Sequence, residues 1–113
     1  MAVVWRALTG VFSLHDNATH GRLSLVRANL LLGSRWINST DGSAEATTPL
    51  HAAAYNGHLA VVRLLIDRGA SVASLTAQGW SALHCAASNG YLPVVRYLVE
   101  EAKIRPTLES KVQ

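Results

Sequence analysis

Thr48-Pro49-Leu50-His51-Ala52-Ala53-Ala54-Tyr55-Asn56-Gly57-His58-Leu59-Ala60-Val61-Val62-Arg63-Leu64-Leu65 is followed, 33 residues on, by Ser81-Ala82-Leu83-His84-Cys85-Ala86-Ala87-Ser88-Asn89-Gly90-Tyr91-Leu92-Pro93-Val94-Val95-Arg96-Tyr97-Leu98. Residues 48–70 and 81–103 share eleven identities over 23 positions. Self-similarity at such a period marks stacked units, none of which buries its apolar face alone.

Upstream, residues 14–33 form a diverged third copy. At an offset of 36 they share eight identities over 20 positions with 50–69: Leu14-His15 with Leu50-His51, Ala18 with Ala54, Gly21 with Gly57, Leu23 with Leu59, Val26-Arg27 with Val62-Arg63 and Gly33 with Gly69. The three additional residues fall in the polar Ser39-Thr40-Asp41-Gly42-Ser43 connection, whose residue types form turns.

Each unit parses alike. Thr48 suits an N-cap, and Pro49 suits the first helical position, where a missing N–H costs nothing. Asn56-Gly57 ends this short helix, glycine supplying the left-handed conformation. A second helix over about 59–68 carries Leu59, Val62, Leu65 and Ile66 on one stripe and stops at Gly69. Ala52, Ala53 and Ala54 keep the first helix thin, so pairs can stack closely. Residues 70–79 make an extended excursion and return, and Pro93 falls in a first turn that tolerates it.

Thr-Pro-Leu-His, Ala-Ala, Gly-His, Val-Val and Leu-Leu, in this order and period, resemble the ankyrin repeat over about residues 12–103. The resemblance implies an all-α solenoid of helix-turn-helix pairs with short β-hairpin fingers. It divides the chain into an N-terminal capping segment (1–12), a degenerate repeat with a long finger (13–47), a full repeat (48–80), a terminal repeat (81–106) and a tail (107–113). It also implies a non-enzymatic module that binds a protein or peptide through its concave face and finger tips. The positions that would make contact are Thr19, His20, Tyr55, Asn56, Ala77, Gln78, Trp80, Ser88 and Asn89, with Trp80 the strongest candidate anchor. Arg68 and Glu101 are late-helix charges expected to tune partner choice. A regulatory or targeting segment of a larger protein, such as a ligase adaptor or kinase, is the alternative expectation.

The first unit departs from this pattern where Asn17 and Asn29 replace Ala53 and Leu65. Buried amides without partners cost about 1–3 kcal/mol, so these two are either hydrogen-bonded or locally displaced. Leu30, Leu31 and Leu32 extend beyond the expected stripe, and Val3, Trp5 and Leu8 are candidates to cover them. At the other end Ala102 replaces the helix-ending glycine, and Leu92, Val95, Leu98 and Val99 leave an apolar unit with no recognisable cap. Three resolutions stay open: the tail folds back with Ile104 and Leu108, the chain self-associates, or it is a piece of a longer array.

Little in the chain points to chemistry. His15, His51 and His84 occupy one repeat position, which the resemblance assigns to structural hydrogen bonds, and no thiolate or carboxylate cluster accompanies them, so neither metal nor cofactor is expected. Cys85 neighbours His84 in sequence, but adjacent helical residues point about 100° apart. No phosphate loop, catalytic triad order or acid pair appears. As the only cysteine it excludes an internal disulfide, and with no basic leader or long apolar run the expected setting is the cytoplasm, with the nucleus also open. The net charge of +3 comes without a Lys/Arg run or aromatic-basic interleaving, so membrane and nucleic-acid partners are not expected. Asn17-Ala18-Thr19 and Asn38-Ser39-Thr40 would accept glycans only after secretion. Asn38, following Ile37 in the finger, also looks similar to asparagines hydroxylated in ankyrin fingers.

Overall fold

A computed structural model describes residues 13–33 and 36–101. Three helix pairs succeed one another: α1 (Leu14–Thr19) with α2 (Leu23–Leu32), α3 (Pro49–Tyr55) with α4 (Leu59–Asp67), and α5 (Ala82–Ser88) with α6 (Leu92–Arg96). A π-helical segment, Tyr97–Glu101, prolongs α6. First helices pack on first helices, α1 on α3 and α3 on α5, while second helices pack behind them, α2 on α4 and α4 on α6. The N-terminal capping segment, the end of the terminal repeat and the tail lie outside the described residues.

The helix starts explain why the repeated histidine is there. Thr48 Oγ1 accepts from the His51 backbone N–H, and His51 Nδ1 accepts from the Thr48 backbone N–H, a reciprocal capping box. Ser81 and His84 repeat it at α5. With Nδ1 accepting, the ring proton sits on Nε2, which in His51 donates to the Ser74 carbonyl at 2.9 Å. His15 Nε2 lies 2.8 Å from the Ser39 carbonyl in the same sense. Each of these two histidines therefore ties a first helix to the connection that leaves its own unit.

One continuous apolar core runs through the stack. Ala18, Ala53, Ala54 and Ala86 are fully buried and let the first helices approach closely, while Val26, Val62, Leu65 and Leu98 fill the space behind them. Burying each such leucine or valine contributes about 1.5–3 kcal/mol. Leu98 of the last unit is thus interior rather than outward-facing, and Val95 is half-buried; Leu92 and Val99 remain exposed.

The two asparagines of the first unit resolve through a hydrogen bond. Asn17, fully buried, donates from Nδ2 to Asn29 Oδ1 at 2.8 Å, and its Oδ1 accepts from Arg22 Nη1 at 3.3 Å. Replacing Asn29 alone by Leu is expected to cost about 1–3 kcal/mol, because the Asn17 amide loses that partner inside the protein. Asn17→Ala with Asn29→Leu restores the residues of the second unit and is expected to recover most of that loss. Urea midpoints of the two variants check this; equal losses would contradict the pairing.

The connections differ from the expected β-hairpins. Among the described residues no strand forms; residues 36–48 and 70–81 are successions of turns. One backbone bond closes each excursion: Asp41 N–H to the Thr47 carbonyl at 2.9 Å, and Thr76 N–H to the Trp80 carbonyl at 2.8 Å. A β-ladder needs consecutive paired residues, and isolated bonds separated by bends do not supply them. Asp41 further accepts from Ser43 N, Ser43 Oγ and Thr47 N, so the three-residue insertion is absorbed in an Asx-type turn. Chiefly through the Ser43 hydroxyl, this turn holds the Asp41 carboxyl below its usual range.

Candidate protein-interaction surface

The stacked units meet at two rims. On the rim of the helix-helix turns, His58 Nε2 lies 3.0 Å from the Thr19 carbonyl, and Asn89 Nδ2 donates to the Tyr55 carbonyl at 2.6 Å. Behind those bonds the His58 ring covers Gly21 and the Tyr91 ring covers Gly57, so closely that a methyl group at either glycine would lie 2.5 Å from a ring atom. On the opposite rim the first connection bonds to the second: Ser71 N–H to Asn38 Oδ1 at 2.7 Å, and Ala77 N–H to the Glu45 carbonyl at 2.8 Å. The first helices span the distance between the two rims.

The candidate contact residues fall into two groups on this frame. Ala77, Gln78 and Trp80 are exposed in the turn of the second connection, and Trp80 keeps 39% of its surface open. Its backbone N–H donates to Thr76 Oγ1 at 3.2 Å, which helps fix the turn that carries it. At the other rim Tyr55, 48% exposed, lies beside Asn89 and near Ser88, both exposed. Ser88 Oγ donates to the Cys85 carbonyl. His20 is exposed, its Nδ1 2.9 Å from the Asp16 carbonyl and 3.6 Å from the Asp16 carboxylate, which also receives Arg22 at 2.9 Å.

Thr19 and Asn56 are less available. Thr19 Oγ1 donates to the His15 carbonyl and Asn56 Nδ2 to the Ala52 carbonyl, and both residues are half-buried, finishing their helices. Arg68 is exposed, in keeping with its late-helix position. Residues that the spacing argument passed over also belong to this side: Glu45, Trp36 and Leu75 are exposed in the connections. The signal that would have found Glu45 was the alignment of successive connections, which the three-residue insertion obscures.

Cys85 is buried, and burial pushes its thiol pKa up to about 11, so almost none is thiolate at neutral pH. Among the described residues no group of three or more His, Cys, Asp or Glu is arranged to hold a metal ion. Among the same residues no helix is long and apolar enough to cross a membrane. Asn38 is exposed, with its amide oxygen occupied by Ser71 N–H.

Comparison with known proteins agrees with this architecture. The family described as "Ankyrin repeats (3 copies)" matches residues 14–109. Ankyrin repeat domain-containing protein 49 from Bos taurus is 46% identical over 59 residues, 52% of this chain and 24% of the bovine protein. The E3 ubiquitin-protein ligase XBAT32 from Arabidopsis thaliana is 58% identical over 31 residues, 27% of this chain and 6% of the ligase. The human transient receptor potential cation channel subfamily A member 1 is 39% identical over 69 residues, 59% of this chain and 6% of the channel. The matched stretch thus spans about a quarter or less of each of these relatives.

Proposed function

The chain belongs to the ankyrin repeat family, and on that premise we propose that it is a non-enzymatic module binding a protein or peptide through the concave side of α1, α3 and α5 and the connections beside them. Ankyrin repeats are in general protein-protein interaction modules. The observation that carries the finer reading is the division within the first helices and their connections. Ala18, Ala53, Ala54, Ala82 and Ala86 are buried in the stack, while Tyr55, Gln78, Trp80, Ser88 and Asn89 are exposed on elements held at both rims. A surface ordered before binding loses little conformational freedom when a partner arrives, so aromatic anchors such as Trp80 and Tyr55 can contribute most of their burial to affinity.

Replacing Tyr55, Gln78, Trp80 and Asn89 together by alanine tests this. Each is exposed and only Asn89 gives up a bond between units, so the variant is expected to retain its helical circular dichroism with a modest loss of stability. It should also lose about tenfold or more in recovery of the partners that wild type captures by proximity labelling and pull-down, in line with two lost aromatic anchors. A folded variant that keeps every partner sinks the concave-face reading.

A second reading is a regulatory or targeting segment within a longer protein. It draws support from relatives that include a ligase and a channel, of which the match covers only 6% each. An intracellular setting, cytoplasm or nucleus, goes with both readings, since Cys85 is a free thiol in the core.

A further inference from the structure

Among the described residues of the second and third units, charge is divided between the two sides of the stack. Residues 36–58 and 69–91 make the connections and first helices of the second and third units, with the helix-helix turns that follow them; their only charged side chains, histidines aside, are Asp41 and Glu45. The described arginines of these units, Arg63, Arg68 and Arg96, lie on the second helices or at their ends, behind the first. Arg35, the nearest cation in sequence to the first connection, lies outside the described residues.

Among the described residues of that side, one place is equipped to receive a positive charge. Glu45 is exposed, and among the described residues its carboxylate has no hydrogen bond or ion pair; its carbonyl accepts from Ala77. Ala77 sits in the turn that Thr76 closes onto Trp80, so the Glu45 and Trp80 backbones are two hydrogen bonds apart across neighbouring connections. The Trp80 ring is partly open, with Gln78 exposed beside it. Asp41, kept ionised by its own turn, adds negative potential from the same connection. A free carboxylate and a partly open indole on neighbouring, hydrogen-bonded connections suit a planar guanidinium, which pairs with the first and stacks on the second.

We infer that the partner segment is a basic peptide whose arginine is held between Glu45 and Trp80. This rests on the concave-face reading and specifies the chemistry of its occupant. The arginine is both paired and stacked, so affinity falls with added salt, through the charge, and falls again when the arginine is replaced by lysine, which keeps the charge but loses the stacked plane.

The test is selection from a random 12-residue peptide library on the folded protein, followed by binding measurements on one selected peptide. Wild type is expected to enrich arginine at least about threefold over the input, and Glu45→Gln to bind the selected peptide roughly fivefold more weakly, about what one partly exposed ion pair is worth. Glu45→Lys should abolish the enrichment. A selection without arginine enrichment, including one that yields no binder, overturns the inference, as does enrichment unchanged in Glu45→Lys. Binders that carry no charge preference yet are lost in the four-residue surface variant would remove the arginine site and leave the concave-face reading standing. Arginine-rich binders that persist in that variant would remove both.

Discussion

Gly57→Ala is expected to destabilise the protein by about 2–5 kcal/mol, an unusual loss for one added methyl group. Two causes add. Gly57 has φ of +74°, where an L-residue pays roughly 1–2 kcal/mol. The new Cβ would also lie 2.5 Å from Tyr91 Cδ1 and 2.7 Å from Cγ, so the whole ring must leave its place, an overpacking cost of about 1–3 kcal/mol. Gly90 separates the two causes, because it has nearly the same φ, +73°, and no atom within 4 Å of its would-be Cβ. Gly90→Ala should therefore lose only the conformational part. Tyr91→Ala introduced with Gly57→Ala should return the rest. Denaturant midpoints for the three variants decide the matter, and equal losses at the two glycines would mean that Tyr91 does not seal the junction.

The second large effect is acid sensitivity centred on His51. Burial pushes its pKa down, against the opposing pull of the Ser74 and Trp80 carbonyls. The folded protein therefore binds a proton at this ring less readily than the unfolded chain. Stability from the neutral ring is fully present above the unfolded value of about 6.5 and is lost as pH falls through that value toward the lower folded one. The geometry gives the reason: a proton on Nδ1 removes the acceptor for the Thr48 backbone N–H, leaving two donors face to face at a helix start. His51→Gln can keep an N-cap partner for Thr48 but gives up the bond to Ser74, so it should cost about 1–2 kcal/mol at pH 7.5. Its stability should then fall less steeply than that of wild type between pH 7 and 5. Parallel slopes in urea titrations across that range would show that His51 is not the responsible group.

Much of this was legible in the residues because repetition makes local rules audible more than once. Thr48 and Ser81 cap helices by the same mechanism, and Gly57 and Gly90 end them at nearly the same φ. The Asn17 and Asn29 anomaly was visible as two amides in core positions, but only coordinates could show that each answers the other. What escaped lies in the connections. A bond such as Ala77 to Glu45 joins two turns whose sequences share no register, because the insertion around Asp41 shifts one against the other. No propensity announces it. The expected hairpins do not show as strands among the described residues, where turn-forming residues crowd both excursions. Leu31 and Leu32, where the later units carry Asp67-Arg68 and Glu100-Glu101, were marked by their excess apolarity, and they are 74% and 87% exposed.

The bonds at the two rims have a mechanical meaning. Between the first and second units the stack is joined at the turn edge by His58 to Thr19 and at the connection edge by Asn38 to Ser71 and Glu45 to Ala77. Two plates fastened along both edges cannot pivot about either one, so bending at this junction must stretch a hydrogen bond on one side while compressing packed alanines in the middle. On the proposed concave-face reading, a ligand that needs a tighter or flatter arc would do elastic work before it gains contact, so the stiffness of this junction would discriminate among partners.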